Sequence, residues 1–174
     1  AARGTYLAAA QVFRFAGYLD RFAAALGEAD GVTAIAVTWC DPQTEQRYGD
    51  EKRNDPGLPL VIDVLPHVLS ILEIVLPGRS VGCQHVVAAR AGAQIDLRLA
   101  VNGAPCAVHL ARDAERRTRI IEVVTQRHRA VLDFTVEPGI ITIDGRAQNA
   151  DPDWASAPSP LTRLLAASVV KIAP

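Results

Sequence analysis

Asp63 and His67 stand four residues apart in the run Asp63-Val64-Leu65-Pro66-His67. On a helix that spacing puts a carboxylate and an imidazole on one face, within reach of a common ligand. The surrounding run from Leu60 to Leu76 is strongly apolar. An ionisable group in such surroundings must be paired or used, because an unpaired buried charge is costly. Histidine titrates near neutral pH, so His67 is suited to exchange a proton with a substrate hydroxyl or carbonyl while Asp63 orients or charges it. That is the proton chemistry a hydride transfer needs. A plainer role is open to the same residues: Asp63 caps the helix that Pro66 helps to start, and His67 is a satisfied core or surface histidine.

Further polar candidates lie on either side of this pair. Arg47, Tyr48, Lys52 and Arg53 crowd a polar, turn-rich segment from Asp41 to Pro59, a length of connection that is commonly functional or mobile. Their cations suit a substrate carboxylate or phosphate, and Tyr48 a hydrogen bond, although a solvated loop is the simpler account of them. His85, His109 and His128 fall in or beside expected strands with no carboxylate at ligand spacing, so no metal site is read from them. Arg112, Arg116, Arg117 and Arg119 interleave with Asp113 and Glu115 as an exposed mixed-charge loop would. Cys40, Cys83 and Cys106 are too scattered for a disulfide framework or a Cys-x-x-Cys site and read as buried small apolar residues. Trp154 reads as packing against the sheet.

The elements that must position these groups follow from periodicity. Phe15, Leu19, Phe22 and Leu26 recur at helical spacing in a first helix over Tyr6–Leu26, with Gly27 at its C-cap. Val32–Trp39 alternates as a half-buried strand. The apolar run from Leu60 to Leu76 predicts a second helix, kinked or started at Pro66 and closed by Pro77-Gly78. Strands are expected over Gly82–Ala89, Gln94–Val101, Pro105–Ala111, Ile120–Gln126, Ala130–Thr135 and Ile140–Asp144. The type I′ dipeptide Asn102-Gly103 and the turn Glu137-Pro138-Gly139 supply two of the connections. A helix over Leu161–Ile172 closes the chain.

The expected fold is therefore a single α+β domain over residues 1–174: a largely antiparallel open sheet of about six strands, with helices on one face. The other face carries Gln94, Asp96, Arg98 and His109 and is free for water, a substrate, or a second copy in a homo-oligomer.

Composition bounds the partners. With 49% hydrophobic and 21% charged residues over 174, the chain can build a core. A formal net charge of −1 gives no electrostatic reason to expect nucleic acid or an anionic membrane. A small molecule or another protein is the expected partner. No secretory leader or bilayer-length apolar stretch is read, so a cytoplasmic location is expected.

The succession of Phe13-Arg14-Phe15 opening a helix, a strand, a polar loop, Asp63-x-x-x-His67 on a helix, a long sheet, and a terminal Pro160-Leu161 helix resembles the C-terminal domain of the glucose-fructose oxidoreductase and inositol dehydrogenase (Gfo/Idh/MocA) family. The resemblance covers nearly the whole chain. It implies the substrate-binding and catalytic half of an NAD(P)-dependent oxidoreductase, in which Asp63 and His67 line the substrate site beside the nicotinamide and a lysine from a missing nucleotide-binding domain completes the set. The family often has paired glycines before the aspartate and one two residues after it, where this chain has Leu58-Pro59 and Leu65. The larger side chains would narrow the pocket. No Gly-x-Gly-x-x-Gly follows a strand, so NAD or NADP is expected to bind the full-length protein and not this chain alone. The alternatives are a stand-alone ligand-binding domain, a cofactor-free cyclase or isomerase that keeps the fold, or an oligomerisation module.

Overall fold

The computed structural model describes residues 11–27, 31–47, 50–53, 55 and 57–170. A short 3-10 turn, Val12–Phe15, leads into α1 (Gly17–Leu26), with Ala16 extended between them. The continuous helix expected over Tyr6–Leu26 is thus broken at Ala16, and its first turn lies outside the described residues. Gly27 takes the positive φ of 67° that a C-cap position there requires.

Strand β1 (Val32–Pro42) buries Ile35, Val37 and Trp39 on one face in strict alternation. The polar segment after it is a ribbon, β2 (Thr44–Arg47) paired antiparallel with β3 (Asp50–Arg53), where a loop was expected. Its residues are almost all charged or amide-bearing, so no apolar alternation announced it. Helix α2 (Leu60–Val75) buries Leu60, Val64, Val68, Ile71, Leu72 and Val75 along one stripe. Pro66 sits inside this helix, lacking the N–H that would reach the Ile62 carbonyl, and Ile62 is exposed.

Then come β4 (Val81–Ala89), β5 (Gln94–Val101), β6 (Ala104–Ala114), β7 (Thr118–Thr125), β8 (Arg129–Asp133), β9 (Ile140–Ile143) and β10 (Arg146–Asn149), before α3 (Pro160–Val170). Asn102 and Gly103 both have positive φ, 48° and 85°, as the type I′ turn between β5 and β6 demands.

The main sheet has eight strands in the order β10-β9-β8-β7-β1-β6-β5-β4, which corrects the expectation of about six. It is also mixed: β1 is inserted between β7 and β6, antiparallel to the first and parallel to the second. The parallel contact exists because the chain leaves β1, passes through the ribbon, α2 and the β4–β5 hairpin, and returns beside it. Helices α1 and α2 cover the face that carries Ile35, Val37, Leu97, Leu99, Val108, Leu110, Ile121 and Val123, and these residues form one continuous core.

The opposite face is polar at its flanks. His109 Nδ1 lies 2.7 Å from Asp96 Oδ1, and Arg129 chelates Glu122 through contacts of 2.7 and 2.9 Å. Cys40 and Cys106 are buried as expected, and burial pushes the Cys106 thiol up to about 11. Cys83 is exposed instead, because β4 is an edge strand with no helix over it. Trp154 packs against Tyr18, with ring centroids 5.8 Å apart. Among the described residues no helix is long and apolar enough to cross a membrane.

Candidate functional site

The end of the sheet formed by the C-terminal parts of β1 and β6 and the start of β7 lies under the first turns of α2. There the structure gathers Trp39 and Asp41 from β1, Arg112 from β6, Arg117 and Arg119 from the β6–β7 corner, and Asp63 and His67 from α2. Helical phase explains the last pair. Val64 and Val68 turn into the core, which leaves Asp63 exposed and His67 half-buried, one turn apart.

Asp63 does not cap α2. The N-cap is Pro59, without a side-chain hydrogen bond, and Asp63 lies in the first turn, where a carboxylate is favoured by the helix dipole. Its Oδ2 stands 3.6 Å from Arg112 Nη2. The same guanidinium donates through Nη1 to the carbonyls of Leu58 and Asp55, at 2.6 and 3.0 Å. Arg112 thereby ties the segment entering α2 to the sheet and fixes the level at which Asp63 emerges.

His67 sits among aromatic rings. Its imidazole lies nearly parallel to the Trp39 indole, 10° between planes and 5.8 Å between centroids, and meets the edge of Phe13 at 5.5 Å. Both are ordinary aromatic pair geometries. The His67 carbonyl accepts a 2.8 Å hydrogen bond from Ser70 Oγ.

Trp39 is itself held from below. The Arg119 guanidinium carbon lies 3.9 Å from the indole centroid, a cation–π contact made possible because Trp39 and Arg119 are direct cross-strand partners of β1 and β7. Arg119 also donates to the carbonyls of Cys40 and Thr118 and to the Asp41 carboxylate. Only 3% of the residue is exposed. Burial draws its pKa down to about 10 against the opposing pull of Asp41. Beside it Arg117 pairs with Glu45 of the ribbon at 3.6 Å.

The reading of residues 112–119 as an exposed mixed-charge loop holds for Glu115 and Arg116 and fails for the arginines on either side. Arg112 and Arg119 lie on strands, and Arg112, Arg117 and Arg119 keep only 13%, 20% and 4% of their side-chain surface. The signal was there in parity: Arg119 is in phase with the core residues Ile121 and Val123.

The other predicted site residues fare differently. Arg53 pairs with Glu51 of its own strand and is exposed, with no contact to the His67 cluster given by that pairing. Arg47 and Lys52 lie on the ribbon backbone, their side chains outside the described set, and Tyr48 lies outside the described residues altogether. His109 and His128, read as having no carboxylate at ligand spacing, meet Asp96 of the neighbouring strand at 2.7 Å and Asp144 of the β9–β10 turn at 2.6 Å. Among the described residues no group of three or more His, Cys, Asp or Glu is placed to hold a metal ion.

Chemically, the Asp63–His67 face offers a carboxylate and an imidazole on an open ledge, backed by rings. Two hollows, of about 280 and 670 Å3, lie elsewhere: one lined by Leu69, Leu72 and Val101, the other by Leu26, Gly31 and His128.

The fold has solved counterparts. A D-galactose-1-dehydrogenase from Rhizobium etli superposes with a TM-score of 0.66 at 20% identity, covering 92% of this chain and 52% of that one. A 3-ketoreductase from Actinomadura kijaniata, solved with TDP-benzene and NADP, gives 0.66 at 13% identity over 94% of this chain and 53% of that one. An inositol dehydrogenase homolog from Azotobacter vinelandii, solved with NADH and myo-inositol, gives 0.60 at 14% identity over 79% and 40%. The chain has the fold of these dehydrogenases. They are of the glucose-fructose oxidoreductase and inositol dehydrogenase type whose pattern the sequence resembles, and the chain spans about half the length of the first of them. No family model matches the sequence and no curated protein does.

Among the described residues, the end of β1 offers a dinucleotide no phosphate-binding turn. Strand β1 runs into a charged ribbon, not into a Gly-rich turn and a helix N-terminus that would cradle a pyrophosphate, and β1–β6 is the sheet's single parallel contact.

Proposed function

We propose that this chain is the substrate-binding and catalytic half of an NAD(P)-dependent oxidoreductase acting on a small hydroxylated or carbonyl substrate, and that a nucleotide-binding domain elsewhere in the complete protein supplies the opposing wall. The observation that carries the reading is the Asp63–His67 pair on an aromatic-backed ledge, within a fold shared with sugar and inositol dehydrogenases. The dinucleotide, held by the other half, would carry the hydride.

This chain's residues would bind the substrate and handle its proton. His67 accepts the proton of a substrate hydroxyl during oxidation, or returns it to the carbonyl oxygen during reduction. The half-buried position suits that task, because the rings of Trp39 and Phe13 restrict the imidazole and part of the residue is exposed. Asp63 presents a carboxylate to the same ligand one turn away, and Arg112 tempers its charge. The substrate-binding role of Arg47, Tyr48, Lys52 and Arg53 is proposed for the ribbon that flanks this ledge through the Glu45–Arg117 pair. The uncovered sheet face is proposed as the surface on which two copies associate.

The test is turnover by the complete protein. Aldoses and cyclic polyols are offered with NAD or NADP, and the nicotinamide absorbance is followed. Reduction of the dinucleotide that needs His67 supports the reading; a complete protein that oxidises none of these, and whose ketone-reducing direction is equally silent, would overturn it.

A further inference from the structure

The mechanism just proposed leaves unexplained why a guanidinium is buried beneath the site. Arg119 has almost no exposed surface, and its Nε has no hydrogen-bond partner. Burying an incompletely satisfied cation is costly, so the arrangement calls for a compensating role. What Arg119 touches points to one. It is anchored at three places, by the carbonyls of Cys40 and Thr118 and by the Asp41 carboxylate, and its guanidinium carbon lies over the Trp39 indole. Trp39 in turn has three ring neighbours: Phe13 edge-on at 5.6 Å, Phe134 edge-on at 6.2 Å, and His67 parallel at 5.8 Å. The indole Nε1, buried and without a partner, adds no hydrogen bond that would hold the ring in its place. Its orientation is therefore set by the rings around it and by the guanidinium.

We propose that Trp39, clamped by Arg119, is a positioning residue: the indole holds the His67 imidazole parallel to itself and thereby sets the line along which the imidazole meets the substrate oxygen. The inference rests on the proposed role of His67 and extends it to residues that touch no substrate. The physical basis is that a proton relay demands a donor–acceptor approach of about 2.6–3.2 Å, and a misplacement of about 1 Å can cost roughly a hundredfold in rate. Pro66, immediately before His67, removes one helical hydrogen bond from this turn, so the backbone alone holds the ring less firmly than an unbroken helix would. The stack supplies what the helix lacks. Arg rather than Lys is required, since only a planar fork can lie flat on the indole while bonding acceptors at its edge.

Two measurements test this. In the first, the imidazole proton resonances of His67 are assigned by their loss in His67→Gln. They are expected to be displaced by the indole ring current, to lose that displacement in Trp39→Leu, and to keep most of it in Trp39→Phe. Should Trp39→Leu fail to fold, Arg119→Lys keeps the buried charge and is expected to shift the same resonances part-way. In the second, Trp39→Leu in the complete enzyme is expected to lower kcat roughly 10- to 100-fold with KM nearly unchanged, with Trp39→Phe restoring most of the loss. A purely structural role would lower both variants in proportion to their stability. Unmoved His67 resonances in both Trp39→Leu and Arg119→Lys would overturn the proposal. So would a wild-type kcat in Trp39→Leu when His67→Ala is inactive, whereas wild-type turnover in His67→Ala would instead overturn the reading of His67 itself.

Discussion

Replacing Arg119 by Met removes a charge that the fold has buried and leaves its partners behind. The apolar stem length is kept, so Met can still cover part of the indole. What is lost is the cation–π contact, two carbonyl acceptors' partner, and the counter-charge of Asp41. Breaking a buried pair by removing one member costs about 3–5 kcal/mol, because the remaining charge is stranded. Asp41 keeps 21% of its side-chain surface, so water can partly resolvate it, and the lower end, about 3 kcal/mol, is expected. For a domain of this size that corresponds to a fall in Tm of about 6–12 °C. Urea titration followed by tryptophan fluorescence would measure it, with the double variant Arg119→Met/Asp41→Leu as the control. Removing both charges should recover at least half the loss, since burial already pulls the Arg119 pKa down to about 10 and the ion is held against its desolvation. A single variant within about 0.5 kcal/mol of wild type, the size of an ordinary surface substitution, would refute the reasoning.

Gly139→Ala and Gly103→Ala form a matched pair. Both glycines have positive φ, but a Cβ at Gly139 would collide with the Asp133 carbonyl oxygen, whereas a Cβ at Gly103 would meet no atom within 4 Å. Thermal denaturation should show about 1 kcal/mol lost at Gly103, the cost of left-handed backbone alone, and clearly more at Gly139; equal losses would contradict the packing. Arg112→Met should loosen the segment entering α2, raising hydrogen exchange at Leu58 to Asp63 while leaving β5 unchanged. Uniform exchange would contradict the anchoring role. On the acid side, Asp113, Glu122 and Asp144 are held below their ordinary pKa values, the first two by Arg90 and Arg129 and the third chiefly by the Arg129 backbone N–H and then His128. A lowered carboxylate contributes stability that is complete above its unfolded pKa and is lost as pH falls through the folded one. Tm should therefore fall as pH drops from about 5 toward 2, less steeply in Asp144→Asn; identical slopes would reject that contribution.

Much of this architecture was readable from periodicity. The seven expected strand segments, the second helix and the Asn102-Gly103 turn all appear within a few residues of where alternation and turn chemistry put them. What escaped was of two kinds. Residues 44–47, 50–53 and 146–149 form strands out of mostly charged and amide side chains, held by ladder hydrogen bonds that leave no apolar signature. Sheet position was the other gap: nothing local to Val32–Pro42 says that it lies between β6 and β7, nor does the sequence of β4 reveal that it is an edge where Cys83 would be exposed. The site divides along the same line. Asp63 and His67 were visible because four-residue spacing on a helix is a local fact. Trp39, Arg112 and Arg119 join them only through strand pairing, which is why the buried Arg119 and the half-buried Arg112 and Arg117 looked like a solvated run.

The account turns on the imidazole of residue 67 as the group that moves the substrate proton. Its most direct measurement is the turnover of His67→Ala in the complete protein, with and without added imidazole. The account predicts a loss of about 10²–10⁴-fold, partly restored by imidazole. Turnover within threefold of wild type, unaffected by imidazole, would contradict it.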